Sequence, residues 1–148
     1  MNVEQVIRTD KKIPLKSRTI IHCMLVNNII TDAITHALKP FDVSPQQFNV
    51  LRILRGRHGH PANLSTLNER MITKMSNTTR LVDKLLFKGY VDRIVCPSNR
   101  RKVEITITDQ GKKELLKMDK VIQRTEDDLL KKLSSKELNQ LNALFDKF

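Results

Sequence analysis

Residues 73–95 read TKMSNTTRLVDKLLFKGYVDRIV, and the change of period inside this stretch decides the fold. Up to Lys88 the apolar residues recur at helical spacing, with Leu81, Val82, Leu85 and Leu86 on one side. Gly89 then stands where a left-handed residue closes a helix. Beyond it the period drops to two in Tyr90–Val95, and again in Val103, Ile105 and Ile107, which alternate with Lys102, Glu104 and Thr106. A short helix over roughly Leu64–Met71 precedes the stretch, with a break at Ile72-Thr73 where Thr73 is placed to cap the next helix from Lys74 to Lys88. Helix, turn, helix and hairpin follow one another in that order. The hairpin connection, Cys96-Pro97-Ser98-Asn99-Arg100-Arg101, is turn-rich and basic, so a positive loop is expected beyond the two strands.

Working outward, Ser44-Pro45 starts a helix carrying Phe48, Leu51 and Leu54, and Gly56 to Pro61 ends it. Before it, Ile20 to Leu38 holds twelve apolar residues in nineteen, too wide an apolar surface for one neighbour, and Lys39-Pro40 stops that helix. After the hairpin a helix begins at Thr108. A last amphipathic helix carries Leu138, Leu141, Leu144, Phe145 and Phe148. The expected fold is mainly α with a small β-hairpin wing. One domain of 148 residues is divided into a helical region at 14–38 and 109–148 and a winged helix-turn-helix lobe at 40–108.

Charge divides at the same places. The chain has 27 Lys and Arg against 16 Asp and Glu, a net +11. Residues 52–102 hold twelve cations and three acids, a net +9, which leaves only +2 for the other 97 residues. A concentrated positive field suits a polyanion. With 39% hydrophobic and 29% charged residues the composition excludes disorder, and the longest apolar run is the four residues Cys23–Val26. The N-terminal residues show no leader pattern, so a cytoplasmic protein without membrane contact is expected. Two distant cysteines, Cys23 and Cys96, form neither a disulfide framework nor a zinc site.

A helix-turn-helix with a basic-tipped wing suits duplex DNA, its second helix in the major groove and its tip on phosphates or in a minor groove. Ser76, Asn77, Thr78, Thr79 and Arg80 open that helix with short polar side chains and one arginine. Asn pairs with adenine and Arg with guanine. Lys84 and the wing residues Arg100 and Arg101 complete the candidate DNA-contact set. Three motifs in this order and spacing resemble the MarR family of bacterial transcription regulators over nearly the whole chain: Thr79-Arg80-Leu81-Val82-Asp83-Lys84-Leu85, Lys88-Gly89-Tyr90-Val91-Asp92-Arg93, and Asn99-Arg100-Arg101 followed by Ile107-Thr108-x-x-Gly111. The resemblance implies a triangular homodimer joined by the first and last helices. It also implies Ser76, Asn77, Thr79 and Arg80 facing the major groove, Arg101 entering the minor groove, and a small anionic or aromatic effector in the cleft between helices and lobe. Members commonly carry aspartate where Asn99 stands, so the carboxylate that orients the wing arginine is replaced here by an amide.

The dimer follows from the residues as well, since the apolar terminal helices would expose a large patch in a lone subunit. Two reading helices then imply half-sites about 10 bp, or ~34 Å, apart. Other functions are weighed against this one. Single-stranded nucleic acid needs stacking aromatics, and the chain has one Tyr and no Trp. A winged helix serving only protein contact, or a basic face that is merely solvated, would bind duplex without steep salt dependence. No catalytic spacing, cofactor motif or metal set is present: His22, His36, His58 and His60 lack metalloprotease spacing and the four glycines form no phosphate loop. Redox sensing through Cys23 is the other alternative, but no Tyr accompanies it and a small apolar core residue is expected there. Cys96 is expected to be exposed in the wing, with no helix end to activate it.

Overall fold

A computed structural model describes residues 1–74, 77–95 and 103–148. A four-residue helix α1 (Val3–Val6) leads into the long α2 (Leu15–Leu38), which continues into the 3-10 turn η1 (Lys39–Phe41). Pro40 has no N–H to offer an α-helical ladder, and Asp42 then takes a left-handed conformation (φ 49°) that turns the chain into the lobe. α1 has no counterpart in the periodic reading because four residues carry no detectable period. It is held by Val3, which is fully buried, and by a two-pronged contact of the Arg18 guanidinium with the Glu4 carboxylate (2.7 and 3.1 Å).

The lobe begins with α3 (Pro45–Arg55). The Ser44 hydroxyl accepts from the Gln47 N–H (3.2 Å) and the Gln47 side chain accepts from the Ser44 N–H (2.9 Å), a reciprocal cap with proline in the first turn. α4 (Leu64–Arg70) is capped by Asn63, whose Oδ1 accepts from the Thr66 N–H at 2.8 Å. The next helix, α5, spans Thr78–Phe87 with Asn77 at its N-cap. It starts four residues later than the sequence suggests, and Thr73 does not cap it. The backbone turns extended at Met71, and the Ile72 N–H is taken up by Asn49 Oδ1 (3.0 Å), so the chain leaves helical geometry at the end of α4.

Gly89 (φ 68°) closes α5, with its N–H bonded to the Leu86 carbonyl and that of Tyr90 to Leu85. β1 (Val91–Val95) and β2 (Val103–Ile107) pair antiparallel in the register Val91↔Ile107 to Val95↔Val103. Two backbone bonds between Ala62 and Ile105 (2.9 and 2.8 Å) stitch the hairpin to the segment before α4. Thr108 then caps α6 (Asp109–Leu130), its hydroxyl accepting from the Gly111 N–H and donating to the Gly89 carbonyl. Gly111 lies so close under the Tyr90 carbonyl that a Cβ there would overlap it.

The core lies inside the lobe and at its seam with α6: Leu51, Leu54, Leu67, Val82, Leu85 and Ile105 are closed off, and Leu115 and Met118 of α6 join them. The frame is different. α7 (Ser135–Phe145) is well capped by Ser134 and Glu137 yet buries no residue, and α2 buries only Leu38. Met24 is 62% exposed and Phe148 95%. Cys23, expected in a core, is exposed, on a stretch of α2 where Met24, Val26 and Ile29 are exposed with it. Among the described residues, no helix is long and apolar enough to cross a membrane.

Candidate nucleic-acid interface

α5 is two-faced. Val82 and Leu85 are fully buried and Leu81 and Leu86 half-buried, which anchors one side in the core and points Asn77, Thr79, Arg80, Asp83 and Lys84 outward. Thr78 is the departure from the expected contact set. It is only 6% exposed, and its hydroxyl faces Asn68 Oδ1 of α4 at 3.4 Å. A residue at the first turn whose spacing from Val82 and Leu85 is four and seven belongs to the buried face, so Thr78 joins the two helices instead of presenting a group to solvent. Ser76, Arg100 and Arg101, like Asn99, Cys96 and Lys102, lie outside the described residues.

Ion pairs sort the cations of the basic segment into two groups. Arg55 of α3 pairs with Asp119 of α6, Lys88 with Asp42 at 2.7 Å, and Arg93 of β1 with Asp83 of α5 at 2.8 Å. The Lys88 ammonium holds the Asp42 carboxyl below its ordinary pKa through a hydrogen bond and its charge. Arg57 donates to the carbonyls of His60 and Pro61, and Arg52 lies 5.7 Å from the Phe48 ring centre. Arg70, Lys74, Arg80 and Lys84 make no ion pair with a described residue. Residue counting sees only the total. The pairing partners Asp42 and Asp119 lie outside the basic segment, and their spacing from Lys88 and Arg55, 46 and 64 residues, gives no local signal.

A cleft of about 810 Å³ opens between α2 and α5, with Asp32, His36 and Lys39 on the frame side and Arg80, Lys84 and Phe87 on the lobe side. Gln47, 4% exposed, lines it too, and its Nε2 has no hydrogen-bond partner among the described residues because its Oε1 is engaged in the α3 cap. A buried amide donor without an acceptor is a costly arrangement. Ser44-Pro45 announced the start of α3; nothing local announced the orphaned nitrogen. No group of three or more His, Cys, Asp or Glu among the described residues is placed to hold a metal.

A half-buried helix with a cationic polar face, tied to a two-stranded wing and carried on long helices, defines a winged helix-turn-helix architecture. A model of the MarR family matches residues 43–103. Across 93% of the chain the fold is similar to that of the MarR transcription factor from Planctomyces limnophilus (27% identity, TM-score 0.74, all of that chain covered). It is likewise similar to apo MarR from E. coli (27% identity, TM-score 0.70, 93% and 98% coverage). A mutant E. coli MarR complexed with operator DNA matches with 25% identity and a TM-score of 0.75, over 90% of this chain and 93% of that one. The chain thus carries a MarR-like region at residues 43–103 and is similar in fold to MarR transcription regulators over nine-tenths of its length.

Proposed function

We propose that the protein acts as a homodimer, two copies joined through residues 14–38 and 109–148, each presenting its lobe of residues 40–108 to one half of a pseudo-palindromic operator in the cytoplasm. The reading rests on one observation. The exposed groups Asn77, Thr79, Arg80 and Lys84 share the outer face of α5, while the ion-paired Lys88 and Arg93 tie the lobe together and Arg55 ties it to α6. In this reading Asn77 and Arg80 contact base edges, and Ser76, Lys84, Arg100 and Arg101 add groove and phosphate contacts. The bare apolar faces of α2 and α7 support the dimer, and the operator complex of the similar E. coli protein supports the DNA partner. Repression is relieved when a small effector fills the cleft between α2 and α5, since a ligand with different affinity for two lobe spacings shifts their balance. The unpartnered Gln47 Nε2 offers that ligand a donor.

Selection of bound sequences from a random duplex pool tests the reading. An inverted repeat whose half-sites are centred about 10 bp apart, or a multiple of that, is expected. Failure to enrich any motif would favour a winged helix that contacts only protein. The redox alternative through Cys23 rests on that thiol's exposure alone.

A further inference from the structure

Asp83 poses a physical problem for a DNA-reading helix. It is an exposed carboxylate on the outer face of α5, half open to solvent, among the groups that line the cleft with Arg80 and Lys84. Residues three and four apart on a helix are neighbours. On the C-terminal side those neighbours are Leu86 and Phe87, both apolar; on the N-terminal side they are Thr79 and Arg80. The polar groups that Asp83 can reach along its own helix are therefore two side chains that the proposed function assigns to DNA. Yet Asp83 makes no ion pair with Arg80. Its Oδ1 accepts from Nη1 of Arg93, on β1, at 2.8 Å.

We infer that Arg93 is a specificity-determining positioning residue: by engaging Asp83 from the wing strand it keeps that carboxylate from capturing Arg80, and so leaves the Arg80 guanidinium free for a base. The pair also cancels a negative charge that would face the phosphates. Two features of the geometry support a guarding role over a purely structural tie. The partners stand on different elements, so the wing strand fixes where the carboxylate points. Both are also about half exposed, in a setting where an ion pair contributes little to stability, so its consequence lies in which partner Asp83 chooses. The inference rests on Arg80 contacting bases, and its test separates the two.

The measured quantity is the ratio of affinities for the selected operator and for a scrambled duplex, at one salt concentration, for the full-length protein. Arg93→Ala is expected to lower the ratio about tenfold, the scale of one good base contact, while Arg93→Lys holds it. Adding Asp83→Asn to Arg93→Ala removes the competing carboxylate and is expected to restore the ratio. A double variant no better than Arg93→Ala overturns the inference. Should Arg93→Ala fail to fold, Asp83→Asn alone decides: retained discrimination supports the guard, and a loss overturns it. Arg80→Ala is the control. A lowered ratio there with an unchanged ratio in Arg93→Ala sinks the guard and spares the reading; an unchanged ratio in Arg80→Ala sinks both.

Discussion

The lobe and the frame use the same apolar residue types to opposite ends. Within residues 43–107 Leu51, Leu54, Leu67, Leu85 and Ile105 close on each other and lose nearly all contact with water. In α2 and α7 the equivalent residues Met24, Ile29, Leu144 and Phe145 stay open, although both helices are continuous and α7 is doubly capped. Periodicity makes a helix, but it does not supply the neighbour that would cover the helix's apolar face. The lobe thus closes its core, with α6 lending Leu115 and Met118, while the frame leaves much of its apolar surface open.

The sharpest way to break this contrast is to charge the frame. Leu141→Glu with Leu144→Glu and Phe145→Glu should give a folded monomer by sedimentation and weaken operator binding on the order of 10²–10⁴-fold, because the second lobe no longer binds as part of the same molecule. An unchanged dimer would remove α7 from the interface. Next in size is the lobe core: Leu54→Ala, at a site 1% exposed, should lower unfolding stability by about 2–5 kcal/mol in denaturant melts while leaving subunit association intact. At the joint between the regions, Gly111→Ala pushes a methyl group into the Tyr90 carbonyl and should cost ~1–3 kcal/mol in the same melts, despite being a small change on a helix.

The smallest effect concerns the N-terminal helix. The Arg18 guanidinium bonded to Glu4 holds that carboxyl below its ordinary value of 4.5, with the charges of Arg18 and His22 adding to the effect. A carboxyl whose folded pKa is depressed contributes stability above the unfolded value and loses it as pH falls through the folded one. Docking of α1 should therefore be complete at neutral pH and weaken only as the solution is acidified below about 4.5, read as faster amide exchange at Val6 and Ile7. Glu4→Gln should show the faster exchange at every pH.

Most of the architecture was legible because its signals are local. The period change at Gly89, the Ser44-Pro45 cap and the Thr108 start all appear in the structure where the residues put them. What escaped depends on distant partners. The break after α4 is held by a side chain 23 residues away, Asn49, which takes the Ile72 N–H, and α5 begins at Thr78. Thr78 looked like one more polar group in a polar run, and only the packing of α4 on α5 turns it inward. Likewise the basic count from 52 to 102 could not tell Arg93, tied to Asp83, from Arg80, which has no such tie.

The salt dependence of binding to the selected operator tests the central claim most directly. Several phosphate contacts on a cationic face predict a log–log line falling steeply, with a loss of about 10³-fold or more between 50 and 200 mM salt, and a slope shallower by about one unit for each subunit's Lys84→Ala. A flat line for the wild-type protein, with Lys84→Ala indistinguishable from it, would contradict the assignment of this face to duplex DNA.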